Sequence, residues 1–210
     1  FVRQEPQLGT GHAVQQAAPL LQDDGTVVVL SGDVPLTQPG TVRALVQASA
    51  DEALALLTVR LPDPKGYGRI VRGADGLVRG IVEEKDASDA ERTITEVYSG
   101  ILAVPARLLL QWLPRLSNQN AQGEYYLTEV VAMAVAQGVP VTTHTIDDAV
   151  QVAGVNSPAQ LAELERAYQT RTAAALMEQG VRLADPARFD LRDDARSGAR
   201  AELVCAQDVE

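Results

Sequence analysis

The residue whose type and place most directly suggest chemistry is Asp33, in the stretch Val27-Val28-Val29-Leu30-Ser31-Gly32-Asp33-Val34-Pro35. Four apolar residues without polar alternation, three of them β-branched, read as a strand buried on both faces of a parallel sheet. Pro35 ends the run, so Asp33 falls just past the strand's carboxyl end. Ligands bind at that edge of open α/β sheets, and a carboxylate there suits a hard cation such as magnesium. The same residues also describe an ordinary strand-to-helix turn capped by Asp33, and this stretch alone leaves both readings open.

Two further groups carry candidate chemistry. Gln7-Leu8-Gly9-Thr10-Gly11-His12 leads into a helical pattern over 13–21. Two glycines before a helix let backbone N–H groups approach a phosphate or a nucleobase, although a Gly-x-Gly pair is more often only a tight turn. His12 has no adjacent acid or nucleophile and reads as a local hydrogen-bonding residue. In Glu83-Glu84-Lys85-Asp86, strand alternation puts Glu83 on the face of Ile81, toward the carboxyl-end cleft if its hairpin lies over that cleft. Glu84 and Asp86 read as a solvated face.

The elements that must position these groups follow from periodicity. A helix over 38–48 returns the chain to a buried strand over 53–59, a βαβ crossover that makes the sheet at least partly parallel. A loop over 61–68 precedes a hairpin, 69–72 with 77–83, turning across Gly73-Ala74-Asp75-Gly76. A polar excursion over 87–96 leads to a buried strand over 97–104, closed by Pro105, and then a helix over 108–116. A helix over 130–137 ends at Gly138, and Pro140 marks 139–145 as an edge strand. Ser157 and Pro158 open the longest helix, 159–179, whose apolar Leu161, Leu164, Ala167, Tyr168 and Leu176 suit a helix bridging two units. Residues 181–191 change to short strand-and-turn pieces, and Leu203-Val204-Cys205 reads as the start of a strand.

The totals exclude several classes. With 28 acidic against 18 basic residues the net charge is -10, and no basic cluster offers a nucleic-acid surface. One cysteine gives no internal disulfide, and with two histidines it leaves little for zinc, so a metal here is oxygen-bound. No apolar run reaches about 18 residues and no signal pattern is present, so the expectation is a soluble, cytoplasmic protein with small-molecule partners and no membrane. The chain begins with Phe1 rather than Met, without an opening element, and reads as truncated.

Gln-Leu-Gly-Thr-Gly-His-Ala, Gly-Asp-Val-Pro-Leu, Gly-Tyr-Gly-Arg-Ile, Ile-Val-Glu-Glu-Lys-Asp-Ala, Gln-Gly-Glu-Tyr-Tyr-Leu-Thr and Gly-Val-Asn stand in this order. Together they closely resemble the bacterial bifunctional N-acetylglucosamine-1-phosphate uridyltransferase / glucosamine-1-phosphate acetyltransferase family. Asp-Pro-Ala-Arg-Phe-Asp-Leu-Arg resembles the passage into its acetyltransferase domain. The resemblance implies an α/β fold: a mostly parallel, Rossmann-like nucleotidyltransferase sheet lacking its first β-α-β unit (1–157), a linker helix (158–180), and the start of a left-handed parallel β-helix (181–210). It implies synthesis of UDP-N-acetylglucosamine and pyrophosphate from UTP and N-acetylglucosamine 1-phosphate, with Mg2+ on Asp33 and Asn156. Gln4, Gly9 and Thr10 match uridine-holding positions, as do Ser31 and Gly32 in part. Gly68, Glu83, Tyr126 and Thr128 match the N-acetylglucosamine pocket.

Three positions depart from the family pattern. Tyr98 replaces an Asn that contacts the sugar, Ser31 a larger residue, and Glu129 an Asp. The family's glycine-rich phosphate loop and most of the β-helix that trimerises it and binds acetyl-CoA are not in this sequence. The expectation is therefore that these residues alone are inactive and that the whole protein is a homotrimer. A related enzyme with another sugar, or a non-catalytic remnant of the fold, are the alternatives. Joint retention of Asp33, Glu83 and Asn156 speaks against the remnant.

Overall fold

The apolar runs become strands of one sheet in a computed structural model that describes residues 1–50 and 52–192. The strands are β1 (Thr26–Val29), β2 (Leu54–Arg60), β3 (Gly68–Arg72), β4 (Val78–Val82), β5 (Glu96–Pro105) and β6 (Val141–Ile146). Their order is β4-β3-β5-β2-β6, with β1 also paired to β5. The helices are α1 (Thr10–Ala17), α2 (Pro39–Ser49), α3 (Asp89–Arg92), α4 (Ala106–Trp112), α5 (Glu129–Ala136) and α6 (Pro158–Glu178). The sheet belongs to a unit made of Phe1–Gly32 and Thr37–Val152, while Asp33–Leu36 and Ala153–Glu210 form a second unit.

The expected mostly parallel sheet is corrected. Among the described strands only β2 and β6 pair in parallel; β1–β5, β2–β5, β3–β4 and β3–β5 are antiparallel. The crossover itself is present, since β1 and β2 both run antiparallel to β5 and so parallel to each other. The physical reason lies in the connection. Helix α2 carries the chain past one strand position, and β5 returns after the β3–β4 hairpin to fill it. β1 is also less buried than expected. Val27 to Val29 are half-buried and Leu30 is 54% exposed, β5 being the one strand they pair with among the described residues.

β5 is not a regular strand. Between two register pairs, Leu56 with Leu102 and Thr58 with Tyr98, β2 advances two residues while β5 advances four. The extra residues sit at Ser99-Gly100-Ile101, a bulge in which Gly100 has φ +86°. A positive φ in a strand is glycine's conformation, and a bulge bends and twists the strand that carries it. Ser99 replaces ladder bonds lost there, its hydroxyl donating to the Leu57 carbonyl (2.8 Å) and accepting from the Ile101 N–H (3.3 Å). At the same place β5's other edge changes partner, from β1 at residues 102–105 to β3 at 97–98.

Leu54, Leu56, Leu102 and Val104 share one core with Leu109 and Trp112 of α4 and Val130 and Val131 of α5. Alternation puts the buried Ala55, Leu57 and Ala103 on the opposite face, and α2, with buried Leu45, packs against β2, β5 and β6. Both faces are thus covered, which explains why β2 is apolar without alternation.

In the second unit α6 starts as expected, with Ser157 accepting from the Gln160 N–H (3.2 Å) and Pro158 at its first position. Its buried stripe differs from the expected one. Leu164, Gln169 and Ala173 are buried, whereas Leu161 and Tyr168 are exposed. Gln169 is buried because its amide takes both backbone groups of Leu191 (2.9 and 2.6 Å), and Arg166 holds the carbonyls of Ala187 and Phe189. Tail residues to 192 therefore fold back on α6, while Leu203-Val204-Cys205 lies outside the described residues.

An alanine at Gly100 would combine a left-handed backbone with a Cβ 2.6 Å from Ser31 Oγ. Gly100→Ala is expected to cost about 1–3 kcal/mol, read as a lower urea midpoint. Adding Ser31→Gly should recover only the contact part, and a wild-type midpoint for Gly100→Ala would contradict the assignment.

Candidate functional site

The first cluster forms at the start of α1. Gln4 donates through Nε2 to the Gly9 carbonyl (3.0 Å) and lies 3.2 Å from His12 Nδ1. Gln16 Nε2 stands 3.0 Å from the other ring nitrogen of His12, so the imidazole has a local amide at each nitrogen, as its sequence setting suggests. Gly9 has φ +105° and lies against Tyr125, where a Cβ would meet the Tyr125 carbonyl at 2.7 Å. The backbone then zips this segment to the one carrying Tyr126 and Thr128. Tyr125 N–H donates to the Leu8 carbonyl (2.8 Å), Gly11 N–H to the Tyr125 carbonyl (2.8 Å), and Leu127 N–H to Thr10 Oγ1 (3.2 Å). Asn120 shapes the approach to Tyr125, its side chain bonding the Gln122 N–H and both backbone groups of Glu124.

The second cluster contains Gly68, Glu83, Tyr98, Tyr126 and Thr128. Gly68 and Tyr98 are register partners on β3 and β5. A Cβ at Gly68 would lie 2.8 Å from Ile81 and 3.5 Å from Glu83 Oε2, which places Glu83 and Ile81 together as strand alternation requires. Thr128 stands at the N-cap position of α5 but makes no cap bond; its hydroxyl donates to Glu83 Oε1 at 2.9 Å instead. Burial pushes the Glu83 carboxyl above its ordinary value, opposed by the Thr128 bond and reinforced by Asp86. The Tyr98 hydroxyl is buried and, among the described residues, has no hydrogen-bond partner; the Tyr126 hydroxyl is buried beside the Gln122 backbone, which acts on it. Burial raises both phenols, reinforced by Glu83 at Tyr98 and by Asp86, Glu83 and Glu124 at Tyr126, where the Gln122 backbone opposes it, so both remain protonated.

Glu84, expected as part of a solvated face, is half-buried and structural. Its Oε2 takes Arg69 Nη2 at 2.7 Å and the Gly66 N–H at 3.2 Å, and the Arg69 bond holds its carboxyl below the usual range. Arg69 is itself buried and also donates to the Tyr67 carbonyl. Sequence reasoning missed this residue. The available signal is an arginine inside an apolar hairpin that also ends in two glutamates. Asp86 remains exposed and caps the loop, accepting from the Ala121 N–H (3.1 Å).

Ser31 and Gly32 follow β1. Ser31 Oγ lies 3.4 Å from the Gly100 carbonyl. Gly32 is exposed, with open space within 4 Å of the point where a Cβ would stand. The third cluster belongs to the second unit. Asp33 and Asn156 are exposed and meet around Gly154, where a Cβ would lie 3.2 Å from Asp33 Oδ2 and 3.7 Å from Asn156 Nδ2. The Val155 N–H donates to the Asp33 carbonyl (2.9 Å), and Gln160 Oε1 accepts from the Asn156 N–H (2.8 Å). A carboxylate and a side-chain amide more than a hundred residues apart in sequence are thus neighbours. Among the described residues no group of three or more His, Cys, Asp or Glu is arranged to hold a metal.

The raised pKa of Glu83 has a sign that stability measurements read. Above its ordinary value of 4.5, the folded protein holds a proton that the unfolded chain has released, so stability falls as pH rises through the folded-state value. Glu83→Gln is expected to raise the urea midpoint at pH 7, with the advantage shrinking as pH is lowered toward 4. A difference independent of pH would contradict the burial argument.

Comparison with known proteins places these clusters in context. A family model described as nucleotidyl transferase matches residues 1–168. The chain is 78% identical over 210 residues to the bifunctional protein GlmU of Acidovorax sp. (strain JS42), covering 100% of this chain and 44% of that protein. The GlmU of Polaromonas sp. (strain JS666 / ATCC BAA-500) is 64% identical over 217 residues, again across 100% of this chain and 44% of its own length. That of Cellvibrio japonicus (strain Ueda107) is 57% identical over 198 residues, 94% of this chain and 44% of the relative. The chain therefore spans less than half the length of these relatives. Among solved structures, UDP-glucose pyrophosphorylase complexed with UDP-glucose has the same fold, with TM-score 0.63 and 14% identity over 81% of this chain and 66% of that one. The motif resemblance and the comparisons agree, and the chain belongs to the nucleotidyl transferase family.

Proposed function

We propose that this chain is the nucleotidyltransferase part of an enzyme that makes UDP-N-acetylglucosamine and pyrophosphate from UTP and N-acetylglucosamine 1-phosphate. The observation that carries the reading is the half-buried carboxylate Glu83, tied to Thr128 and close to the phenols of Tyr98 and Tyr126, on the fold of the matched family. An acceptor surrounded by donors suits the hydroxyl groups of a sugar. The 57–78% identity to bifunctional GlmU proteins supports the same assignment. In this reading residues 158–180 are the linker helix and 181–210 the start of an acetyltransferase β-helix, through which the whole protein trimerises.

In the reaction a phosphate oxygen of the sugar phosphate attacks the α-phosphorus of UTP, the bond to the β-phosphate breaks, and pyrophosphate leaves. Gln4, Gly9 and Thr10 hold the uridine, with Ser31 and Gly32; Gly68, Glu83, Tyr98, Tyr126 and Thr128 hold the sugar. Gly68 lets the backbone come close, and Glu83 accepts from sugar hydroxyls. The donor set at Asp33 and Asn156 fits a magnesium ion: both are exposed, both carry hard oxygens, and Gly154, lacking a Cβ, does not crowd the Asp33 carboxylate. A magnesium ion held by Asp33 and Asn156 would supply neutralisation of the negative charge on phosphate oxygens.

The protein carrying this chain, assayed for pyrophosphate release with UTP, magnesium and N-acetylglucosamine 1-phosphate, is expected to turn over. Asp33→Asn and Asn156→Ala should each lower kcat at least 100-fold, on the order of 3 kcal/mol of lost transition-state stabilisation, while leaving the urea midpoint near that of wild type. Wild-type rates in both variants would refute the metal assignment, and turnover only with a different sugar phosphate would refute the sugar.

A further inference from the structure

His12 stands in the cluster at the start of α1 without a part in the proposed reaction, although both of its ring nitrogens are engaged. Gln4 Nε2 lies 3.0 Å from the Gly9 carbonyl and 3.2 Å from His12 Nδ1. A carbonyl oxygen only accepts, so the Gln4 group that faces both is its NH2. The Nδ1 atom beside it is therefore the accepting nitrogen, and the ring proton sits on Nε2. Gln16 Nε2 stands 3.0 Å from that nitrogen and 3.3 Å from the His12 carbonyl. A neutral imidazole offers one acceptor, and Gln4 has it. Gln16, whose carbonyl contact is the longer one, turns its amide oxygen to the Nε2–H instead.

Both acceptors of the Gln4 amide are held in place. The imidazole lies beside the Tyr125 ring, with centroids 6.2 Å apart, and the Tyr125 backbone is bonded to Leu8 and Gly11. Gly11 brings α1 into close contact there, since a Cβ on it would meet the Tyr125 carbonyl at 2.9 Å. The Gly9 carbonyl also accepts from the Ala13 N–H (3.2 Å), which opens the α1 ladder. The two amide hydrogens of Gln4 are thus committed to fixed acceptors. Its carbonyl oxygen Oε1 is what remains for a ligand.

We propose that His12 is a positioning residue that makes the Gln4 amide read a ring N–H on the base of the nucleotide, and so favours uracil over cytosine. The inference rests on the reading above in which Gln4 holds the uridine. Uracil carries a hydrogen on N3, whereas cytosine has a bare acceptor there that would face the Gln4 oxygen lone pair to lone pair. An acceptor met by one base and opposed by the other discriminates between them. Without the Nδ1 acceptor, the Gly9 carbonyl still holds one amide hydrogen of Gln4. The other is released, and it suits the N3 of cytosine.

The test compares UTP and CTP as substrates, with N-acetylglucosamine 1-phosphate and magnesium, for the protein carrying this chain and its His12 variants. His12→Leu should raise KM for UTP about tenfold and lower the UTP-over-CTP ratio of kcat/KM about tenfold, with KM for the sugar phosphate near that of wild type. His12→Asn puts an amide oxygen in the place of Nδ1 and should keep wild-type values. His12→Gln carries its oxygen to the place of Nε2 and should behave as His12→Leu. The contrast between Asn and Gln carries the test where the leucine variant does not fold. Wild-type discrimination in His12→Gln, or equal losses in the Asn and Gln variants, would overturn the proposal and leave the uridine reading intact. If wild type takes dTTP, whose base also carries N3–H, in place of UTP, and the variants shift its preference over CTP in the same way, the role of His12 holds and uridine falls. A wild-type protein that prefers CTP overturns both.

Discussion

Between the same two register pairs β5 carries four residues where β2 carries two, and much of the sheet unit depends on how that excess is absorbed. Gly100 takes a left-handed backbone, Ser99 replaces the missing ladder bonds through Leu57, and the strand bends. One edge of β5 is then shared between β1 and β3. Two strands diverging from one neighbour leave an opening at a sheet edge, the kind of place where open α/β sheets bind ligands. The divergence brings Ser31, after β1, against Gly100, and sets Gly68 opposite Tyr98. A regular β5 would pair with one strand along that edge and close the opening.

The electrostatics of the hairpin follow from a division of labour between adjacent glutamates. The buried guanidinium of Arg69 donates to Glu84 and to the Tyr67 carbonyl, and Glu84 also accepts from the Gly66 N–H, so the loop before β3 is fixed. Among the described residues Glu83 receives a hydroxyl, from Thr128, and no cation compensates its burial. A carboxylate paired with arginine has its lone pairs committed. One held by a single hydroxyl keeps acceptor capacity, which is what recognition of a hydroxyl-rich ligand requires. Thr128 leaves α5 without its side-chain cap to do this, a local loss of about 0.5–2 kcal/mol accepted where the candidate site is built.

Much of this is legible in the sequence because the relevant signals are local. β2 and the hairpin stand out through apolar runs and turn residues, α6 through Ser157 and Pro158, and Glu83 through its alternation with Ile81. The rest depends on partners distant in the chain. Strand direction escapes the sequence because a crossover fixes only that β1 and β2 run the same way; it does not say which strand lies between them. The bulge is hidden because Val97 to Val104 reads as one mainly apolar strand run in which Ser99-Gly100 gives no sign of an insertion. The buried face of α6 differs from its apolar pattern because Gln169 is polar and is buried only by meeting the backbone of Leu191. Asn156 is joined to Asp33 only through family resemblance, and the neighbouring Gly154 gives that pairing a steric basis.

The central claim is that the Asp33–Asn156 pair holds the divalent ion of a nucleotidyl transferase that acts on sugar nucleotides. It is tested most directly by crystals of the protein carrying this chain, grown with UDP-N-acetylglucosamine and Mn2+ in place of Mg2+, and measured for manganese anomalous scattering. The account predicts one strong peak within about 2.0–2.3 Å of an Asp33 carboxylate oxygen and the Asn156 amide oxygen, distances typical of a hard octahedral cation, with the sugar against Glu83 and Thr128. A manganese peak ligated by other residues, with Asp33 and Asn156 free of metal, would contradict it.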